Sequence, residues 1–182
     1  MDIPKTYKGV IARFRQAPDE IQTYFSPSVE LIEKYPWEVT LAYMFSRIEL
    51  AQNMALYCGV VKLHRAHGEV AWSAIDSLHI TRKNFEELFE TIFGKPLKQK
   101  IINKVSEAKI IRDKIMHGKD VSDAELRKAV FRLIEYSELF NEFVFQIAGF
   151  KPFGNLKGFK GRAEPSDKAT TMWLLKGMKI LS

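Results

Sequence analysis

The fold is decided by residues 97–147, LKQKIINKVSEAKIIRDKIMHGKDVSDAELRKAVFRLIEYSELFNEFVFQI. Their apolar side chains recur at the 3.6-residue period of an α-helix in two runs, which a short polar stretch separates. The first run predicts a helix over residues 97–117, with an apolar face made of Ile101, Ile102, Val105, Ala108, Ile115 and Met116. Gly118 suits the position just past this helix, because glycine adopts the left-handed conformation without strain.

The second run begins at a helix-start signal, the sequence SDAE at residues 122–125. It is a capping box, in which the serine hydroxyl and the glutamate carboxylate each accept a hydrogen bond from the other residue's backbone N–H. The pattern continues to about Ile147. Only residues 119–121 join the two predicted helices, so we expect the helices to be antiparallel neighbours.

The rest of the chain is also helical by its pattern, and it has almost no alternating apolar and polar strand signal. Helices are predicted over residues 5–16, from Pro36 to residue 63, and over residues 69–93 with a break near Ile80, where Thr81 caps a new start. Residues 17–28, which contain two prolines, are expected to form a loop or a loose helical turn. The predicted fold is all-α, an up-and-down antiparallel bundle of four to five helices.

The C-terminal segment differs in composition from the bundle, since it is rich in glycine, lysine and aromatic residues. We therefore divide the chain into an N-terminal helix and loop (1–35), a helical bundle (36–149) and a basic tail (150–182). The tail is expected to be a glycine-rich loop outside the core. A last short helix, capped by Ser166, is expected to dock through Met172, Trp173 and Leu174.

Composition indicates a globular protein, because 46% of the 182 residues are hydrophobic and 27% are charged. Cys58 is the only cysteine, which excludes an intramolecular disulfide and a thiolate zinc cluster and favours a reducing, cytoplasmic compartment. Residues 1–14 lack the apolar stretch of a signal peptide, and no run approaches the length of a membrane-spanning helix.

Basic residues account for the formal net charge of +6, and they form two runs. Residues 95–119 hold eight basic and two acidic side chains, and residues 150–182 hold seven basic and two acidic ones. Either run could bind a polyanion such as RNA, or could be a solvated helix face that serves solubility. In the tail, Phe153 and Phe159 alternate with lysines, a pattern that allows base stacking or docking on the bundle.

Arg112 and His117 are the candidate catalytic residues. On a helical wheel Arg112 falls inside the apolar stripe of the first helix, where its guanidinium needs an anion or carbonyl partner. His117 stands at the helix end, where we expect it to be accessible, and histidine is the residue type commonly used for proton transfer. Glu49 and Gln52 are candidate supporting residues, because Gln52 lies in the apolar stripe of the preceding long helix and could brace Arg112.

The sequence around these residues resembles the HEPN superfamily, whose mark is an arginine, a polar residue directly after it and, with four to six intervening positions in all, a histidine at the end of a helix in a small bundle. Arg112, Asp113 and His117 match that mark over a helical region spanning residues 36–147. The resemblance implies a ribonuclease that needs no metal or other cofactor and brings the arginines and histidines of two protomers together in a homodimer. His117 would transfer protons, Arg112 would hold the phosphate and Asp113 would orient one of them.

Candidate RNA-binding side chains lie on both basic runs: Lys109, Lys114, Lys119, Lys157, Lys160 and Arg162. The resemblance also suggests a toxin–antitoxin or defence role and an antitoxin partner. In HEPN toxins silenced by adenylylation, a tyrosine commonly stands two residues after the histidine, but here that residue is Lys119. An alternative remains open, namely a non-catalytic binding or assembly module of such a system in which Arg112 is an interior ion-pair residue.

The spacing of Cys58, His64, His67 and Glu69 allows a metal site, but a single thiol on an apolar helix is more often a packing residue. We therefore predict no metal ligands.

Overall fold

The computed structural model describes residues 3–78, 82–154, 156, 159 and 163–181, with the backbone alone at residues 82 and 83. The described residues form nine α-helices and no strand: α1 Tyr7–Arg15, α2 Asp19–Tyr24, α3 Ser28–Lys34, α4 Trp37–His64, α5 Gly68–Asp76, α6 Arg82–Phe93, α7 Gln99–Met116, α8 Asp123–Ala148 and α9 Lys168–Gly177. The all-α prediction is confirmed. The break predicted at Ile80 and the cap at Thr81 lie outside the described residues.

The helices group into two compact units. The first comprises Met1–Glu49 with Lys98–Asn141, and the second comprises Leu50–Leu97 with Glu142–Ser182. Helices α4 and α8 each contribute residues to both units. The three-segment division at residues 35 and 149 stays a prediction. No helix in the described part of the chain has both the length and the apolarity that crossing a bilayer requires.

Helices α7 and α8 run antiparallel, as predicted, and ion pairs fix their register. Lys104 Nζ lies 2.9 Å from Glu135 Oε2. Ten residues further along α7, Lys114 Nζ lies 2.8 Å from Glu125 Oε1. As the residue number of the lysine increases along α7, the residue number of its glutamate partner decreases along α8. This order is the one that antiparallel helices require. The short connection between them begins at Gly118, whose φ of 65° is left-handed.

The capping box at the start of α8 is confirmed. The N–H of Ser122 donates to Glu125 Oε2 at 3.0 Å, and the N–H of Glu125 donates to Ser122 Oγ at 3.3 Å. The interior side of α7 consists of the buried residues Ile101, Ile102, Ala108 and Ile111. Met116, predicted for that side, is 75% exposed, because it belongs to a helix end that is exposed through residue 120.

Of the two expectations for residues 17–28, the loop is wrong, because these residues contain the six-residue helix α2 and the first residue of α3. Pro18 and Pro27 stand at the N-cap positions of these helices. A proline there interrupts no intrahelical hydrogen bond, since the first N–H groups of a helix have no internal partner.

The prediction that the tail lies outside the core is wrong for its first residues. Phe150 and Phe153 are 2% and 0% exposed. Phe93 lies with its ring centroid 6.4 Å from that of Phe150 and 4.3 Å from that of Phe89. The tail begins with apolar side chains that complete an aromatic cluster in the second unit, and this burial outweighs the glycine-rich composition that follows.

Helix α9 is capped by Asp167 and not by Ser166, since Asp167 Oδ1 accepts from the N–H of Thr170 at 2.9 Å. Trp173 is 78% exposed and Met172 is 45% exposed, so the prediction that these residues dock the helix is wrong. The side of α9 that carries Thr171 and Leu175 is buried instead, and α9 contacts α5 in the second unit.

Candidate active site at the end of helix α7

Arg112 lies on α7 in the first unit, with 29% of its side chain exposed. Its guanidinium carbon stands 4.6 Å from the centre of the Phe45 ring on α4. An aromatic face attracts a cation and also covers its apolar stem. This contact explains how an arginine occupies a position inside the predicted apolar stripe.

Two carboxylates hold the guanidinium in place. Asp113 Oδ1 accepts from Arg112 Nε at 3.4 Å and from Nη2 at 3.3 Å, while Glu49 Oε1 accepts from Nη1 at 3.2 Å. These bonds use three of the five N–H donors of arginine. Among the described residues, no other acceptor forms a hydrogen bond with Arg112. One N–H therefore remains without an acceptor on each of Nη1 and Nη2. Each of these N–H groups can donate to a phosphate oxygen.

His117 is exposed at the C-cap of α7. Its backbone N–H donates to the carbonyl of Asp113 at 3.1 Å, which fixes the end of the helix. Its ring has no hydrogen bond or ion pair with any other described residue. The imidazole is thus open to solvent and to a ligand.

Arg112 and His117 share one helix end but not one helix face. A five-residue step advances about 7.5 Å along an α-helix and turns about 140° around its axis. The two side chains therefore leave α7 in different directions. The structure brings Glu49 and Asp113 to Arg112, and it leaves His117 apart from that cluster.

The candidate RNA-binding lysines of the first unit differ in their surroundings. Lys114 is held by Glu125 at 2.8 Å. The hydrogen bond from Lys114, together with those from the Ser122 backbone and side chain, lowers the pKa of Glu125 to about 2. Lys109 is half-buried and Lys119 is exposed, and neither makes an ion pair with a described residue.

The remaining candidates lie elsewhere. Gln52 is half-buried and belongs to the second unit. Lys157, Lys160 and Arg162 lie outside the described residues.

Two features of this region were missed by sequence reasoning. One is Phe45 as the support of Arg112, which the sequence marks only as one of many apolar residues on α4. The other is the ion pair between α7 and α8 that Arg132 makes with Glu107 at 2.9 Å, while Arg132 also pairs with Glu135 of its own helix at 2.6 Å. The antiparallel register that the short connection implies would have predicted the pair between the helices.

Among the described residues, no group of three or more histidine, cysteine, aspartate or glutamate side chains is arranged to hold a metal ion. His64 Nε2 lies 2.7 Å from the carbonyl oxygen of Ile92. Burial raises the pKa of Cys58 to about 12, so its thiol stays protonated at neutral pH.

Comparison of the chain with protein-family models, curated protein sequences and solved structures finds no match. The assignment of a function therefore depends on the residues and contacts described above.

Proposed function

We propose that the chain is a HEPN-like endoribonuclease that acts as a homodimer and cleaves RNA without a metal ion. The observation that supports this most directly is the guanidinium of Arg112. It is fixed over Phe45 by two carboxylates, and it keeps one N–H on each terminal nitrogen for a ligand. A preorganised cation with free N–H donors fits the transition state of phosphoryl transfer.

The proposed chemistry uses the nucleophile that RNA carries. The 2′-OH attacks the neighbouring phosphorus, its proton passes to a base, and the bond to the 5′-oxygen breaks as that oxygen receives a proton. The products are a 2′,3′-cyclic phosphate and a free 5′-OH. His117 transfers the protons, Arg112 stabilises the charge on the phosphate oxygens, and Asp113 orients the guanidinium.

A second protomer completes the proposed site. Because Arg112 and His117 leave α7 about 140° apart, a single phosphate is served best by Arg112 of one copy and His117 of another. The cluster of Arg112 with Glu49 and Asp113 also carries more negative than positive charge. Lys109 and Lys119 supply the additional positive charge that draws RNA to the site.

The test is incubation of the purified full chain with mixed RNA in EDTA, with Arg112→Ala and His117→Ala variants in parallel. We expect wild-type cleavage to persist in EDTA and to fall at least 100-fold in both variants. Arg15→Ala is the matched control, since it removes an exposed arginine of the first unit far along the chain. Wild-type chain that leaves RNA intact, or a folded His117→Ala variant with full activity, would refute the proposal.

A second candidate is a non-catalytic binding or assembly module, and the double carboxylate contact of Arg112 favours it. In that case Arg112 joins α7 to α4 as an ion-pair residue, and the same assay gives no cleavage. For either candidate, we propose a cytoplasmic toxin–antitoxin or defence system with an antitoxin partner, as the HEPN resemblance implies.

A further inference from the structure

Arg47 of α4, in the first unit, is a half-buried arginine without an acidic partner. Within the described ranges, four other arginines are buried or half-buried, and each of them pairs with a carboxylate: Arg13, Arg112, Arg127 and Arg132. The guanidinium of Arg47 makes no hydrogen bond and no ion pair with any described residue. A cation that loses water without gaining an anion is unfavourable, so an anionic ligand at this position would stabilise it.

The guanidinium of Arg47 is nevertheless held in place by Tyr24 at the end of α2. Its central carbon stands 4.2 Å from the centre of the Tyr24 ring. The hydroxyl of the same tyrosine donates to the backbone carbonyl of Arg47 at 2.9 Å. An aromatic face attracts a cation without using any of its N–H donors. Tyr24 therefore orients the guanidinium and leaves its donors unused.

The donors of Arg47 differ in their access to a ligand. Nε is closed to solvent and has no acceptor, so it cannot reach an outside group. Nη1 and Nη2 also lack an acceptor among the described residues, but they are not closed to solvent. Each of these two nitrogens carries two N–H groups, which can donate to the oxygens of a phosphate. Arg47 thus presents a fixed, accessible cation whose hydrogen-bonding capacity the fold does not use.

Arg47 and the proposed cleavage site border one exposed face of α4. In the first unit this face consists of Glu38, Val39, Ala42, Ser46 and Glu49. Successive residues of an α-helix are turned by about 100°, so Phe45 and Arg47 lie on opposite sides of Ser46. Phe45 supports Arg112. A ligand that crosses the exposed face of α4 can therefore reach Arg112 at one edge and Arg47 at the other.

The charges on this face favour an anion at the Arg47 edge. Its two acidic residues, Glu38 and Glu49, lie on the same side of the helix as Phe45, at wheel positions within about 40° of it. Glu49 is already bonded to Arg112. The edge that carries Arg47 has no acidic residue from α4.

We propose that Arg47 binds a backbone phosphate of single-stranded RNA that crosses the exposed face of α4, while Arg112 binds the phosphate that is cleaved. The inference rests on the proposed function, because that function brings RNA to Arg112. A contact to a backbone phosphate fixes the register and orientation of a strand and reads no base. Arg47 is accordingly a positioning residue for the substrate and takes no part in the chemistry.

The test is a fluorescence titration of the full chain with a single-stranded RNA dodecamer at several salt concentrations, in the His117→Ala background, which keeps the RNA intact. Arg47→Gln is expected to raise Kd about fivefold at low salt and to reduce the slope of log Kd against log salt by about 0.7, the value for one phosphate contact on a single strand. Arg15→Gln is the matched control, because it removes an exposed arginine of the same unit and should keep the parental Kd and slope.

A second measurement needs no change at Arg47. A dicarbonyl reagent that modifies arginine is applied to the His117→Ala chain with and without saturating RNA, and the modified residues are identified by mass spectrometry. RNA is expected to slow the modification of Arg47 at least fivefold and to leave that of Arg15 unchanged. This measurement decides the proposal even if Arg47→Gln does not fold.

The proposal is overturned if a folded Arg47→Gln variant keeps the parental Kd and slope, if Arg15→Gln loses as much, or if RNA does not protect Arg47. An oligoglutamate peptide that binds through Arg47 where RNA does not would assign the surface to an acidic protein and also overturn the proposal. Cleavage by the wild-type chain is measured separately. A chain that cleaves RNA but binds it without Arg47 refutes this inference alone, and Arg47-dependent binding by a chain that does not cleave refutes the proposed catalysis alone.

Discussion

Glu49 Oε1 accepts a hydrogen bond from Arg112 Nη1 at 3.2 Å, and this contact joins α4 to α7 at the candidate active site. The Glu49 side chain is 63% exposed, so the pair contributes at most about 1 kcal/mol to folding. Its larger effect is electrostatic, because the carboxylate opposes the approach of a phosphate to the guanidinium.

Glu49→Gln should therefore leave stability almost unchanged and tighten RNA binding. We expect a change below about 1 kcal/mol in the free energy of unfolding and a several-fold lower Kd for single-stranded RNA at low salt. Glu33→Gln removes an exposed carboxylate elsewhere in the first unit and should leave Kd unchanged. Weaker RNA binding by Glu49→Gln would show that Glu49 positions Arg112 for RNA more than it competes with it.

The exposed apolar residues of α7 are expected to lie in the proposed dimer interface. Ile110 is 59% exposed and Met116 is 75% exposed on the helix that carries Arg112. Met116→Glu should convert the dimer to a monomer that is still folded and should abolish cleavage, as measured by light scattering and thermal melting; the melt stays cooperative but its Tm falls, because association stabilises the folded chain. Trp173→Glu charges a residue of the second unit that is 78% exposed, and it should leave the dimer intact. A Met116→Glu variant that remains an active dimer would contradict this interface.

A buried ion pair should make α1 essential for stability. Arg13 Nη2 donates to Glu138 Oε2, and Arg13 is only 8% exposed. Removal of Arg13 would leave Glu138 without this partner, so Arg13→Ala should lower the free energy of unfolding by about 3 kcal/mol in urea denaturation. Arg15→Ala, two residues along the same helix but exposed, should change it by less than about 0.5 kcal/mol. Similar losses in both variants would rule out a special role for the buried pair.

The α8 capping box should contribute to acid sensitivity. Lys114 and Ser122 lower the pKa of Glu125 from 4.5 to about 2 in the folded chain. A carboxyl group with a lowered folded pKa stabilises the fold above its unfolded pKa, and this contribution is lost as pH falls from about 4.5 toward 2. Glu125→Gln should therefore show a shallower fall of Tm across that window than wild type. Parallel Tm profiles for the two proteins would contradict the assignment.

Cys58 should be unreactive in the folded protein. Its side chain is fully buried, and burial raises its pKa to about 12. A water-soluble disulfide reagent should modify no thiol under native conditions at pH 8 and one thiol per chain after denaturation. Fast modification of the native protein would show that the second unit opens readily around α4.

Local signals in the sequence predicted much of the fold. The capping box at residues 122–125 and the glycine at 118 specify a helix start and a helix end from neighbouring residues alone, and both are confirmed. Pro18 and Pro27 were ambiguous, because proline suits a loop and a helix N-cap equally well. Burial of Phe150 and Phe153 depends on aromatic residues far away in the sequence, so composition alone could not indicate it.

The candidate site was predictable only in part. The wheel position of Arg112 indicated that it needs a partner, and Glu49 was named as a supporting residue. The choice between Glu49 and Gln52 depends on the rotation and register of α4, which the sequence pattern does not fix to within one turn. For the same reason, the contact of Arg112 with Phe45 emerged only from the structure.

The central claim is that each cleavage site combines Arg112 of one protomer with His117 of the other, and mixing the two inactive variants tests it most directly. Arg112→Ala and His117→Ala chains are unfolded together, refolded together and assayed on RNA in EDTA. Random pairing makes half of the dimers mixed, and each mixed dimer holds one complete site, so we predict about a quarter of wild-type activity. A mixture as inactive as either variant alone would contradict the shared site.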